Sequence, residues 1–168
     1  VSSQTLPDTA EFTVAAWIRP EIDAAGAIFY DAQFFTPGED TQLNAQSGGN
    51  LFGIADKGPT GGSVTATNVI RAGSWQHVAM TARASSIALF VNGTLVASSS
   101  AGGNNVGFHS IFYIGAENHG LGPGNLFRGS IDEFAIYRRS LSTAEVAVLA
   151  NSGSPSTVPP TISVQPVA

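Results

Sequence analysis

The dipeptide Asn92-Gly93 lies between two short apolar runs, Ile87–Val91 and Thr94–Ser98. No other feature of the chain constrains its fold as tightly. A two-residue hairpin of the primed type needs positive φ at both central positions, and Asn-Gly meets that need at the lowest steric cost. The pairing then follows by counting, with Val91 opposite Thr94, Phe90 opposite Leu95 and Leu89 opposite Val96. A Phe–Leu cross-strand contact is favourable by ~0.2–1 kcal/mol. Asn92-Gly93-Thr94 also fits a glycosylation sequon, but turn geometry already accounts for these residues.

Period-two patterning recurs along the chain. Phe12, Val14, Ala16 and Ile18 alternate with Thr13, Ala15, Trp17 and Arg19 over 11–19, and Pro20 ends the run. Further strands are expected at 26–32, 41–46, 50–56, 63–70, 75–82, 110–116 and 126–139, with Ser47-Gly48-Gly49 as a second hairpin signal. In the 75–82 strand, Val78 and Met80 share one face, and Trp75, His77 and Thr81 share the other. The period changes after residue 139. Ser142 and Glu145 have capping-box spacing, and Leu141 and Val146 are placed as a hydrophobic staple, which predicts one short helix at about 143–150. The expected architecture is therefore all-β, an antiparallel two-sheet β-sandwich with one short C-terminal helix.

Composition narrows the function. Only 11% of residues are charged, and 19 are glycine, against about 25% charged in an average domain. Net charge is −5, and the positive side chains are Lys57 and six scattered arginines, which argues against a nucleic-acid partner. No apolar run reaches the roughly 18 residues that membrane insertion needs. Cysteine is absent, which excludes disulfides and a thiol nucleophile. The chain begins at Val1 with no visible signal peptide, so a piece of a longer protein is expected, with a monomer as the default state.

In order along the chain, "FTVAAWIRP", "GSWQHVAMT", "LFVNGTLV", "YIGA" and "FRGSIDEFAIYRRSLSTAEV" resemble the LamG-like jelly-roll domain of the concanavalin A-like lectin/glucanase superfamily over roughly residues 10–150. The resemblance implies a concanavalin A-like jelly roll of two curved sheets, as a domain over 1–152. Residues 153–168 would be a Pro/Ser/Thr-rich linker, and "PPTISVQPVA" resembles the start of an Ig-like domain. The implied role is a non-catalytic module of a secreted or cell-surface multidomain protein. The chain departs from the family in lacking an opening F-D-G-x-x-D-Y-V-like block.

The candidate site residues follow from these readings. Asp132 and Glu133 should face opposite sides of a strand, leaving one carboxylate near buried surface and in need of a partner. The resemblance implies a structural calcium at Asp132, with Asp8 and carbonyls of Pro7-Asp8 and Gly48-Gly49 as further donors. The alternative is Asp132 capped by backbone amides or by Arg128. For a glycan ligand, Asp31, Gln33, Phe34, Phe35, Glu39 and Asp40 form one aromatic and polar segment, and Asn118, His119 and Asn125 another; the two phenylalanines also read as core. His77 reads as a structural, hydrogen-bonded histidine. Glu21-Ile22-Asp23 resembles the start of a β-glucanase carboxylate strand, but the third acid is missing and flanking Pro20 and Gly26 place it in a loop. No histidine pair has zinc spacing, and no G-x-S-x-G elbow occurs. Glycan binding is thus the leading expectation. The alternatives are a spacer or protein–protein adhesion domain and an accessory domain attached to a glycoside hydrolase.

Overall fold

A computed structural model describes residues 11–32, 40–55, 62–100, 112–118, 122–153 and 155. Twelve strands run in chain order: β1 (Phe12–Pro20), β2 (Gly26–Ala32), β3 (Asp40–Gln46), β4 (Asn50–Ala55), β5 (Gly62–Ala66), β6 (Gln76–Arg83), β7 (Ser86–Val91), β8 (Thr94–Ser99), β9 (Tyr113–Ile114), β10 (Glu117–Asn118), β11 (Pro123–Gly124) and β12 (Gly129–Tyr137). The helix α1 (Thr143–Asn151) follows them. One five-stranded sheet has the order β12-β1-β6-β7-β8, the other β5-β4-β3-β2-β9, and β10 and β11 form a separate pair. Every pairing is antiparallel. This is the expected two-sheet sandwich with a single short helix among the described residues.

The core forms where alternation turns apolar side chains inward from both sheets. Phe12, Val14, Ala16, Ile18, Val78, Met80 and Leu89 of the first sheet join Phe29, Leu43, Leu51 and Val64 of the second in one buried cluster. The layers approach so closely that a Cβ on Gly53 would lie 2.7 Å from Met80 Sδ. The first sheet buries its other face too. Ala15, Ala79 and Phe90 receive Leu141 and Val146 from the helix segment, and the small alanines let α1 lie close to the strands.

Local signals fix the helix start. Ser142 Oγ accepts from Glu145 N at 3.3 Å, and Ser142 N donates to Glu145 Oε2 at 2.8 Å, completing the capping box. The Arg139 guanidinium adds an ion pair to Glu145 at 2.6 Å. The strong hydrogen bond to Arg139, with those to Ser142, holds the Glu145 carboxyl down at about 2. Thr13 Oγ1 accepts from Leu141 N and donates to Arg139 O, both at 2.9 Å, tying the entry to the helix onto β1. The hairpin is as expected: Asn92 and Gly93 have φ of 49° and 76°. Its tip packs on the helix, since a Cβ on Gly93 would lie 2.8 Å from Ala147 Cα.

Four details differ from the sequence reading. Leu89 pairs with Ala97, not Val96; Val96 is the extra residue of a bulge, which lets the outer strand β8 twist. The fifth strand stops at Ala66, because Asn68 turns left-handed at φ 57° and Val69 and Ile70 both donate to Gly49 O at 2.8 Å. Trp75 lies just before β6 rather than in it. The Asp132-Glu133 alternation is broken by a bulge. Ala15 pairs with Ala135 and Trp17 with Asp132, leaving two residues of β12 opposite Ala16. Glu133 takes the left-handed conformation at φ 49°.

Candidate functional site

In β3, Leu43 and Ala45 enter the core, so Gln42, Asn44 and Gln46 alternate onto the opposite face of the second sheet. Register places Gln42 beside Tyr30, and Asn44 beside Phe52 and Ala27. Tyr30 in turn pairs with Tyr113 of β9, their ring centroids 6.4 Å apart. The β10–β11 ribbon adds the remaining polar groups. Glu117 Oε1 accepts from Asn44 Nδ2 at 2.7 Å and from Asn125 Nδ2 at 2.8 Å, and Asn118 Nδ2 donates to the Tyr113 hydroxyl at 2.8 Å.

Asn44 is the centre of this constellation. Its Nδ2 also donates to Gln42 Oε1 at 3.1 Å. Both partners of that nitrogen are oxygens, so exchanging the amide O and N would set oxygen against oxygen and the orientation is fixed. Asn44 is only 4% exposed, and its Oδ1 has no hydrogen-bond partner among the described residues. A buried acceptor left unpaired costs roughly 1–3 kcal/mol. Planar amides, a carboxylate and the partly exposed Tyr113 ring, packed on the buried Tyr30, are suited to a ligand rich in hydroxyls, which needs in-plane hydrogen bonds and an amphipathic surface.

Of the residues singled out in the sequence, Asn118 and Asn125 fall in this group. Asp31 lies next to Tyr30 on β2 but is buried at 1% exposure, and it has an interaction partner of its own. Asp40 begins β3, opposite Ala32. Gln33, Phe34, Phe35, Glu39, His119 and Asp8 lie outside the described residues. Glu21, Ile22 and Asp23 sit exposed in bends after β1. Sequence reasoning missed Tyr30, Gln42, Asn44, Tyr113 and Glu117. The amides of "TQLNAQ" at every second position were a visible signal; their meeting with Glu117 was not.

Two expectations on the first sheet change. One carboxylate of the Asp132-Glu133 pair was expected near buried surface, yet both residues are exposed, because the bulge removes them from strict alternation. Asp132 Oδ1 accepts from Glu133 N at 2.8 Å. His77 was expected to be hydrogen-bonded; it is buried at 3% exposure, but its Nδ1 has no hydrogen-bond partner among the described residues, and burial pushes its pKa down to about 4. A calcium cage of six to eight oxygens is not assembled by the described residues. No three His, Cys, Asp or Glu side chains gather among them, and the Gly49 carbonyl already takes two amides in a turn of the other sheet.

Comparison with known proteins gives the fold the same frame. A laminin-G-type family model, described as the concanavalin A-like lectin/glucanases superfamily, matches residues 1–147. Among solved structures, a SAP-like pentraxin from Limulus polyphemus is 22% identical with a TM-score of 0.71, over 88% of this chain and 72% of that one. Domain 4 of AbnA, a GH43 extracellular arabinanase from Geobacillus stearothermophilus, was solved in complex with arabinotriose. It is 24% identical with a TM-score of 0.66, over 89% of this chain and 74% of that one. The CBM40 of the Ruminococcus gnavus IT-sialidase, solved with α2,3-sialyllactose, is 14% identical with a TM-score of 0.67, over 89% and 97%. No curated protein matches the chain. Among the described residues no helix is long and apolar enough to cross a membrane.

Proposed function

The chain belongs to the concanavalin A-like lectin/glucanases superfamily, and from that premise we propose that it is a non-catalytic glycan-binding module of a secreted or cell-surface protein. The observation that carries this reading is Asn44. Its amide is clamped by Glu117 and Gln42, and among the described residues its buried carbonyl oxygen lacks a donor. The ligand lies on the outer face of the β5-β4-β3-β2-β9 sheet. Gln42, Glu117, Asn118 and Asn125 orient its hydroxyls, and Tyr113, backed by the buried Tyr30, supplies the aromatic surface. The relatives solved with arabinotriose and with sialyllactose support a saccharide as the ligand class on this fold.

A glycan array probed with the purified domain tests the reading, followed by calorimetric titration of any hit. Saccharide binding that weakens about tenfold or more in Asn44→Ala and Asn118→Ala supports it, the loss expected when one or two buried hydrogen bonds go. An array without hits, or hits unaffected by both variants, refutes it.

A further inference from the structure

The opposite sheet carries a second concavity, unrelated to the glycan face. A cleft of about 450 Å³ is lined by Trp17, His77, Asp132, Glu133, Tyr137 and Pro155, a size typical of ligand sites, which run roughly 300–1,000 Å³. It lies on the outer face of β1, β6 and β12, beside the exit from α1. Asp132 spends one oxygen on the Glu133 amide. Among the described residues the Glu133 carboxylate has no hydrogen bond and no ion pair.

The other groups in the lining agree on one kind of ligand. His77 is 3% exposed, and its Nδ1 has no hydrogen-bond partner among the described residues. Held neutral by burial, with its pKa down at about 4, it does not repel a cation. Trp17 stands edge-on to it at 5.6 Å and 71°, and Tyr137 adds a second electron-rich ring. Among the described residues no lysine or arginine lines the cleft, and nearby Arg139 is held by Glu145. Carboxylates without counter-charge, aromatic rings and a neutral imidazole attract an organic cation, through charge, hydrogen bonds and the ring faces together. A chain of net charge −5 adds to the attraction.

We propose that this cleft binds a guanidinium or alkylammonium group, with Asp132 and Glu133 as its counter-charges and Trp17 and Tyr137 as its aromatic walls. The cation is either a free small molecule or the basic side chain of a polypeptide. Cations are already rare on this chain, so the site is built to take one from outside.

The test is an NMR titration of the domain with N-acetyl-arginine amide, its uncharged isostere N-acetyl-citrulline amide, methylguanidinium and calcium. The His77 imidazole and the Trp17 indole N–H are the reporters. Saturable shifts with the arginine probe, absent with citrulline and weakened in high salt, support the site. Glu133→Gln and Asp132→Asn keep the shape and the Glu133 amide acceptor, and both positions are exposed, so the fold is retained. Each should weaken the arginine probe about tenfold, the loss of one charge-assisted contact. Tighter binding of the arginine probe than of methylguanidinium assigns a polypeptide side chain, and equal binding assigns a free cation. Equal shifts with citrulline, no saturation at the solubility limit, indifference to both variants, or calcium binding in place of the guanidinium would overturn the proposal.

Discussion

His77 makes the sandwich acid-sensitive in a narrow and predictable window. Its pKa falls from 6.5 to about 4, and the cause is burial alone. Between those values the unfolded chain binds more protons than the folded one, so stability is complete above about pH 6.5 and is lost as pH falls toward 4. Each tenfold change in proton affinity is worth about 1.36 kcal/mol, which makes the full loss roughly 3 kcal/mol, with about 2 kcal/mol gone by about pH 5. That is a large share of the ~5–15 kcal/mol that holds a domain together. The measurement is urea unfolding of the wild type and His77→Gln at neutral pH and near pH 5, since glutamine is of similar size and does not titrate. The carboxylates act equally in both proteins, so the wild type should lose about 2 kcal/mol more than the variant over that range. An NMR titration should place the imidazole midpoint near 4. Identical acid losses in the two proteins, or a midpoint near the unperturbed ~6.5, would refute the reasoning.

The remaining predictions concern the helix, its contact with the hairpin, and catalysis. Gly93→Ala puts a Cβ on a residue at φ 76° and 2.8 Å from Ala147 Cα; it should lower stability by ~1–3 kcal/mol in a thermal melt, more than an exposed-loop glycine would. Ser142→Ala removes the acceptor for Glu145 N and should cost about 1 kcal/mol by chemical denaturation. The Glu145 carboxyl, held down at about 2, gives a contribution present above its unfolded pKa and lost as pH falls toward 2; Glu145→Gln should abolish that acid-dependent part of helix docking. Incubation with polysaccharides should release no reducing ends, because Glu21 and Asp23 lack a third carboxylate and sit in an exposed bend.

What could be read from the sequence was what neighbouring residues decide among themselves. The Asn92-Gly93 turn and the Ser142/Glu145 box each close within a few residues, so spacing sufficed. Leu141 and Val146 were placed correctly as a staple, although their shared pocket on Ala15 and Ala79 is a tertiary matter. Alternation failed at the bulges of β8 and β12, two of the three register shifts among the described strands. A single extra residue, Val96 in one case and the Glu133 turn in the other, shifts every later side chain. At Glu133 the left-handed conformation costs a non-glycine residue ~1–3 kcal/mol, so local preference pointed away from the observed backbone. The polar face of the second sheet was half visible, since the amides of β3 alternate in plain sight. Glu117, which gives them their geometry, arrives from a ribbon 73 positions further along, and no short-range pattern announces it.

The tie between Thr13 and the Arg139–Leu141 segment has a mechanical meaning. Thr13 pairs with Tyr137, so the start of β1 lies beside the end of β12. Tension applied between residue 11 and the C-terminal side of the helix would first strip α1 from Ala15 and Ala79. It would then reach the two Thr13 bonds and open the β1–β12 ladder one rung at a time. Strands loaded in this peeling direction yield at lower force than strands loaded in shear, where all rungs bear together. Pulled from those two points, the domain would give way by sequential release and act as a compliant element, with Thr13 as the first rung to meet the load.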